Sequence, residues 1–376
     1  MKKTIYYSSY PIVDNLLLYK EHGEIPYYFS KLFGYNAIID DYNDEMPKSQ
    51  FRSVQLLPSP NRFRSLRKLL NIFLHAKEID ILYVILIHPD TMFKMLAYRL
   101  GGGKGKIYLK LDLGLYEKNG KDLLVWKNMN FFLKTVHLLF KKLPDIYTVE
   151  TQNGFRRLTN TYYNDLIAKK KLYLLPNGFD PESLDEIGII PVKIQEKEKI
   201  ILTVGRIGLF QKNTELLLSV LADVELKDWK VYIVGPIEES FLQVIQDYYV
   251  QYPDKKQSIL FTGMISQKEK YNIYNKARVF ILTSRHESYA FVLAEAVYMN
   301  NYIISTNVGI ASELLEYTSG FVTDSHCKSP FVKELQRIIN LSDGDLNELT
   351  KDGEKKEITW EWILNNNMGI QSLLNE

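Results

Sequence analysis

The stretch that most constrains the fold is residues 279–296, V-F-I-L-T-S-R-H-E-S-Y-A-F-V-L-A-E-A. An apolar run, Val279 to Leu282, ends in the polar residues Thr283, Ser284, Arg285 and His286, and an apolar helical pattern follows. This order predicts a buried strand, a tight loop and a helix. A strand with no polar alternation needs cover on both faces, which parallel sheets flanked by helices provide. In such sheets ligands bind beyond the carboxyl ends of the strands, where a helix N-terminus attracts anions. Glu287 falls where the helix is expected to begin, and Glu295 comes eight residues later, about 12 Å along the axis at ~1.5 Å per residue. Each acid alone also reads as an ordinary helix-dipole partner or a solvated position. Together they suit the two ends of one elongated polar ligand.

The same alternation runs through the chain. Strands are expected at residues 4–7, 36–40, 79–87, 107–111, 146–150 and 172–175, and again at 199–205, 229–235, 259–263, 302–306 and 320–322, with helices between them. The pattern implies α/β architecture with doubly wound parallel sheets in both halves. The expected boundaries are an N-terminal domain at 1–177, a C-terminal domain at 178–356, and a helix at 357–376 that crosses back to the first.

Composition narrows the class. The 376 residues are 46% hydrophobic and 24% charged, as in a globular protein. The longest aliphatic run, residues 81–87, is too short to span a bilayer, and residues 4–10 lack the apolar core of a signal peptide, so a cytoplasmic location is expected. The single Cys327 excludes an internal disulfide framework and a multi-thiolate metal site. Charge is uneven: residues 1–175 hold 27 Lys and Arg against 16 Asp and Glu, and the remainder 20 against 29. A basic half points to an anionic partner, such as a membrane surface, a lipid diphosphate or a nucleic acid, or to a solvated surface of mixed charge.

Several segments invite chemistry without carrying it. Gly101-Gly102-Gly103-Lys104-Gly105-Lys106 follows a helix and precedes a strand, the reverse of a Walker A loop, and reads as a helix cap and turn. The acids at 40–45 read as a solvated loop, and Arg62, Arg64, Arg67 and Lys68 as largely solvent-facing charges at a helix start. Residues 123–143 form a basic amphipathic pattern that could lie on an anionic membrane or pack on a sheet. Asp343-Gly344-Asp345 reads as a turn between helices.

The second half supplies a connected set of motifs. Gly205-Arg206 follows its first strand and Lys212 stands in the next loop, a fork and a point charge suited to a diphosphate. Gly263-Met264-Ile265 and Asn307-Val308-Gly309 follow later strands, and Pro176-Asn177-Gly178-Phe179-Asp180 is a strong turn signal. With Glu287-x7-Glu295, this order resembles the retaining family 4 glycosyltransferases, which have the GT-B fold of two Rossmann-like domains facing a cleft. The resemblance implies a nucleotide-diphosphate sugar as donor, a UDP- or GDP-sugar, with transfer to a glycan acceptor and retention of configuration. It implies no cofactor and no obligatory metal. Arg206 and Lys212 would stabilise the leaving diphosphate, Glu287 would hold the sugar hydroxyls and Glu295 the ribose. Gly205, Gly263, Ile265, Arg285, His286, Ser288, Tyr289, Ala290 and Phe291 would complete the donor site. Ser8-Ser9-Tyr10-Pro11 stands where family members often carry a Gly-Gly pair, and Asp112 where they commonly carry a His; Asp112 is thus a candidate catalytic residue or a loop cap.

The expected partners are the donor and a glycan acceptor, lipid-linked and used in surface polysaccharide biosynthesis, with peripheral contact to an anionic membrane at its inner face and no nucleic acid. Rival readings are a sugar-nucleotide 2-epimerase, a non-catalytic glycosyltransferase-like binding subunit, and transfer to a protein or soluble acceptor. A Rossmann dehydrogenase is disfavoured because no G-x-G-x-x-G follows the first strand.

Overall fold

The computed structural model describes residues 2–8, 12–44, 48–59, 63–112, 117–118, 121–122, 131–159, 161, 163–342, 345, 349 and 355–375. The chain divides into two compact units, Met1–Asp180 with Thr359–Glu376, and Pro181–Ile358. In chain order the strands are β1 (Thr4–Tyr7), β2 (Asn36–Tyr42), β3 (Gln50–Phe51), β4 (Val54–Pro58), β5 (Ile81–Ile85), β6 (Lys106–Leu111), β7 (Glu117–Lys118), β8 (Lys121–Asp122), β9 (Ile146–Val149), β10 (Leu172–Leu174), β11 (Glu198–Val204), β12 (Lys230–Val234), β13 (Ile259–Gly263), β14 (Ala277–Leu282), β15 (Tyr302–Thr306) and β16 (Gly320–Thr323). The helices are α1 (Asn15–Leu18), α2 (Glu21–Phe33), α3 (Arg64–His75), α4 (Pro89–Leu100), α5 (Phe131–Lys142), α6 (Gln152–Thr159), α7 (Asp165–Ala168), α8 (Glu182–Asp185), α9 (Thr214–Asp223), α10 (Leu242–Gln251), α11 (Gln267–Lys276), α12 (Phe291–Tyr298), α13 (Lys328–Asn340), α14 (Trp360–Asn366) and α15 (Met368–Leu374).

In the first unit the sheet order is β10-β9-β6-β5-β1-β2-β4-β3, parallel except for the β3–β4 pair. Every residue of β5 is buried because helices cover both faces. Burying one such aliphatic side chain contributes about 1.5–3 kcal/mol. Tyr7, Tyr83 and Tyr108 point to one face, their neighbouring ring centroids 4.8 Å apart, and pack in the core that includes α2, α14 and α15. Tyr6, Leu82, Val84 and Leu109 point to the other, beneath α3 and α4.

The second unit holds an all-parallel sheet in the order β13-β12-β11-β14-β15-β16. Chain direction across the sheet reverses between β11 and β14: the strands after β11 build outward on one side, then the chain returns to place β14 on the other. That reversal is the position at which open parallel sheets bind ligands. On one face α9, α10 and α13 bury Ile201, Val231, Ile233 and Val279. Ser266 and Glu269 cap α11 reciprocally, which fixes the chain just after Gly263.

Four local expectations are corrected. Helix α12 starts at Phe291, not at Glu287, because Ala290 takes a positive φ of 74° that no helix accommodates. The 12 Å axial estimate therefore falls, since residues 287–290 are not helical. Asp40 and Asp41 are not solvated loop acids: they end β2, 4% and 1% exposed, and accept from Ser8, Arg64 and Lys68. Residues 313–316 make a short 3-10 turn, and the helix expected within 357–376 is broken at Asn367, whose side chain caps α15 by accepting from the amides of Gly369 and Ile370. The expectations for Ser9 to Pro11, Arg62, residues 123–130 and Asp343-Gly344 lie outside the described residues.

Among the described residues, no helix is long and apolar enough to cross a membrane.

Candidate active site

The site begins with three backbone ends in a row. Gly205 donates its amide to the Val234 carbonyl at 2.9 Å, and Gly235 donates to the Gly263 carbonyl at 3.0 Å, which aligns the ends of β11, β12 and β13. Gly235 has φ +135°, and a Cβ there would lie 1.9 Å from the Gly205 carbonyl oxygen, so only glycine closes this junction. The aliphatic chain of Lys212 lies over Gly205, about as close as an ordinary van der Waals contact allows, 3.6 Å from the position a Cβ would take.

Two loops are stitched across the reversal point. Asn213, at φ 52°, turns the chain into α9, and its carbonyl accepts from Thr283 Oγ1 at 3.1 Å. The Arg285 amide donates to the Gln211 carbonyl at 2.8 Å, while Gln211 Nε2 donates to the His286 carbonyl at 3.0 Å. The Arg285 guanidinium lies 4.1 Å from the Phe210 ring centroid and donates to the Phe210 carbonyl. These bonds bring Lys212 to Glu287: Nζ donates to Oε1 at 2.6 Å, and Ser284 Oγ donates to the same oxygen at 2.7 Å. The Glu287 side chain is 9% exposed and that of Lys212 22%, so the pair is shielded without being sealed.

The other side of the 284–291 segment is clasped by the loop after β15. Thr306 Oγ1 donates to the Ser284 carbonyl at 2.7 Å and the Ile310 amide to the Tyr289 carbonyl at 3.0 Å. Gly309 permits this approach, since a Cβ would lie 2.1 Å from the Tyr289 carbonyl oxygen. Tyr289 and Ala290 are buried, Ser288 and Phe291 half-buried, and His286 exposed. The Tyr289 and Phe291 rings meet edge to face at 5.1 Å.

Glu295 projects from α12 toward α11. Its Oε1 accepts from Lys270 Nζ at 2.8 Å and Tyr271 OH at 3.1 Å, while its Oε2 is buried with no hydrogen-bond partner among the described residues. The Tyr274 phenol, whose proton is held on first by burial, lies close enough for the carboxylate's charge to hold it further. A buried carboxylate oxygen left open is costly unless something else fills it. Gly263, at φ 67°, and half-buried Ile265 lie at the α11 N-terminus. Ile265 also edges a cavity of about 290 Å³ between α11 and the sheet, lined by Ile200, Tyr232 and Ile273.

The structure does not join every candidate. Arg206 is 63% exposed and pairs with Glu238 at 2.8 Å, rather than with Glu287. Asp112 belongs to the other unit, half-buried after β6, where its charge acts on His22 and Glu150. Burial pushes the Glu150 carboxyl up to about 8, and Asn177 Nδ2 donates to it at 2.7 Å. The reading of the sequence missed Glu238, Gln211, Lys270 and Tyr271. Of these only Glu238 carried a signal, as an acid just beyond the strand that neighbours Arg206.

Residues 189–356 match the family described as glycosyl transferases group 1. The human alpha-1,3/1,6-mannosyltransferase ALG2 is 25% identical over 159 residues, covering 38% of this chain and 36% of the relative. The alpha-monoglucosyldiacylglycerol synthase of Streptococcus pneumoniae (strain ATCC BAA-255 / R6) is 30% identical over 116 residues, covering 30% of this chain and 25% of the relative. The matches thus span about a third or less of these relatives' lengths. Among solved structures, Anabaena Alr3699/HepE in complex with UDP and glucose superposes with a TM-score of 0.61 at 13% identity, covering 99% of this chain and 98% of that one. The chain has two parallel-sheet α/β domains of the GT-B architecture, and residues 189–356 of the second are similar to the glycosyl transferases group 1 family.

Proposed function

We propose that the chain is a retaining glycosyltransferase that takes a sugar from a UDP- or GDP-sugar. The observation that carries this reading is the Lys212–Glu287 pair held over Gly205 at the sheet's reversal point. An ammonium with two N–H donors beyond the one given to Glu287 suits the oxygens of a leaving diphosphate, whose charge grows in the transition state. Arg206, exposed and engaged by Glu238 through one terminal nitrogen, would approach the same diphosphate. Both contacts to Glu287 fall on Oε1, leaving Oε2 for donor-sugar hydroxyls. The open Oε2 of Glu295 suits a ribose hydroxyl, which would supply the donor that oxygen lacks. Backbone groups at Gly263 and Ile265 would meet the base, and Arg285, His286, Ser288, Tyr289, Ala290 and Phe291 would shape the sugar pocket. The charge chemistry is carried by side chains, so the proposed transfer needs no metal.

For the acceptor we infer a lipid-linked glycan handled at the inner face of a membrane, in surface polysaccharide synthesis. The basic excess of residues 1–175 supports this, as does the similarity to an alpha-monoglucosyldiacylglycerol synthase.

The experiment is a thermal-shift screen of UDP- and GDP-sugars, because a bound ligand stabilises by mass action. It is followed by transfer to a short glycan acceptor, with and without EDTA, and by NMR of the product anomer. Stabilisation by one donor class and an EDTA-resistant product of retained configuration support the reading. No stabilisation by any nucleotide sugar would sink it, and rescue of chelated enzyme by Mn²⁺ would remove its metal-independent part.

A further inference from the structure

Helix α3 is inside out. At about 100° per residue, Phe63, Leu66, Leu70, Phe73 and Leu74 fall within roughly a third of a turn, and this arc faces solvent. Their exposures are 76%, 64%, 53%, 44% and 63%. The opposite side buries Lys68, Ile72 and Ala76. The inversion has a cause: Lys68 Nζ is drawn inward to Asp41 at 2.8 Å and Asp40 at 3.9 Å, and Arg64 joins Asp41 from the same helix. Two ion-paired residues one turn apart set the helix rotation, and that rotation turns the leucines outward.

The patch continues onto α4. The two helices end side by side, since a Cβ on Gly101 would lie 2.2 Å from the Phe73 carbonyl oxygen. At the other end Lys94 of α4 lies close enough to Lys68 to feel its charge. Phe93 and Leu100, 51% and 76% exposed, therefore extend the α3 arc sideways. Helix α5 packs beside α4 and exposes Phe131, Phe132 and Leu138. Ordinary soluble surfaces scatter such residues singly; a contiguous apolar face of this kind marks an interaction site.

Charge decides what the face meets. Helices α3, α4 and α5 carry Arg64, Arg67, Lys68, Lys94, Arg99, Lys134, Lys141 and Lys142 against a single acid, Asp90. Lys68 and Lys94 turn inward, but Arg67 flanks the arc exposed, as does Lys77 just past the helix. A second copy of the chain would bring these cations against one another, with exposed Glu78, already 3.2 Å from His75, too little charge to answer them. A bilayer of anionic lipid answers both features, burying the apolar arc among acyl chains and its flanking cations among headgroups.

We propose that the outward face of α3, with the exposed side of α4, is the surface by which this chain lies on an anionic membrane. The inference deepens the lipid-linked reading of the acceptor and rests on it. It is tested by co-sedimentation of the full chain with phosphatidylcholine vesicles containing or lacking phosphatidylglycerol, at low and high salt. Nucleotide-sugar thermal shift is measured on the same samples. Wild type should bind the anionic vesicles and lose affinity in salt. Leu70→Glu with Leu74→Glu should weaken binding at least 10-fold, and Arg67→Glu with Lys77→Glu should remove its salt-dependent part, both with an unchanged donor shift. Absence of vesicle binding by wild type, or binding that these variants leave intact, overturns the proposal. So does a dimer in sedimentation velocity that Leu70→Glu with Leu74→Glu dissolves while vesicle binding is unaffected. Vesicle binding without any donor shift would sink the transferase reading and leave the surface standing; a donor shift without vesicle binding would do the opposite.

Discussion

Lys212 Nζ and Glu287 Oε1 stand 2.6 Å apart, joining the loop after β11 to the loop after β14 at the place where the second sheet reverses. Ser284 shares the same carboxylate oxygen, so the pair is oriented as well as neutralised. On the proposed mechanism Lys212→Ala removes a preorganised donor and should lower turnover by roughly 10²-fold or more. Glu287→Ala should mainly lower turnover and leave nucleotide binding near wild type. Steady-state kinetics with a nucleotide titration separate the two effects. Loss of stability in both variants with turnover per folded molecule intact would reduce the pair to a structural clasp.

Arg206 provides a contrasting case. Its ion pair with Glu238 is largely exposed on the arginine side, and such pairs contribute about 0–1 kcal/mol. Arg206→Ala should therefore leave the melting temperature almost unchanged while turnover falls roughly 10²-fold. A melting temperature that drops while the rate holds would assign Arg206 to structure alone.

The parts of this site legible in the sequence were those fixed by local physics. The apolar run at 279–282 had to be a doubly covered strand, and its polar successor had to lie beyond the sheet's carboxyl edge. The start of α12 was not legible, because the positive φ that breaks the chain falls on Ala290, a residue whose type signals helix rather than turn. The partners of the charged residues were hidden for another reason. Glu238 reaches Arg206 and Lys270 reaches Glu295 from neighbouring elements, 32 and 25 residues away, and only the packed sheet brings them together. The inverted α3 was concealed likewise, since it depends on Asp41 lying at the end of a longer strand than its polar surroundings imply.

Glu295 separates binding from chemistry. Its Oε1 is occupied by Lys270 and Tyr271, and its buried Oε2 has no hydrogen-bond partner among the described residues. If a ribose hydroxyl fills it, Glu295→Ala should weaken nucleotide binding by about 10- to 100-fold, the scale of a charge-assisted hydrogen bond. Turnover at saturating donor should fall far less. Isothermal titration with UDP and GDP checks this, and equal affinities for wild type and variant would place Glu295 outside the donor site.

Lys197 is 3% exposed, with Nζ donating at 2.8 Å to the carbonyls of both Tyr274 and Asn275. Burial, reinforced by the charge of Lys355, pulls its ammonium down from an ordinary 10.5 to about 7. The unfolded chain keeps this proton up to its ordinary value, whereas the folded chain releases it above about 7. Between these limits the unfolded state binds more protons, so the group makes stability rise with pH, by at most ~1.4 kcal/mol per unit. Below about 7 both states are protonated and the slope from this residue vanishes. Lys197→Met removes the titration, and the difference between wild type and variant cancels other groups that the substitution does not touch. Melting temperatures from pH 6 to 9.5 should give a wild-type-minus-variant difference that is flat at first and then climbs above pH 7. A difference independent of pH across that range would mean that Lys197 stays charged in the fold, held by its two carbonyls.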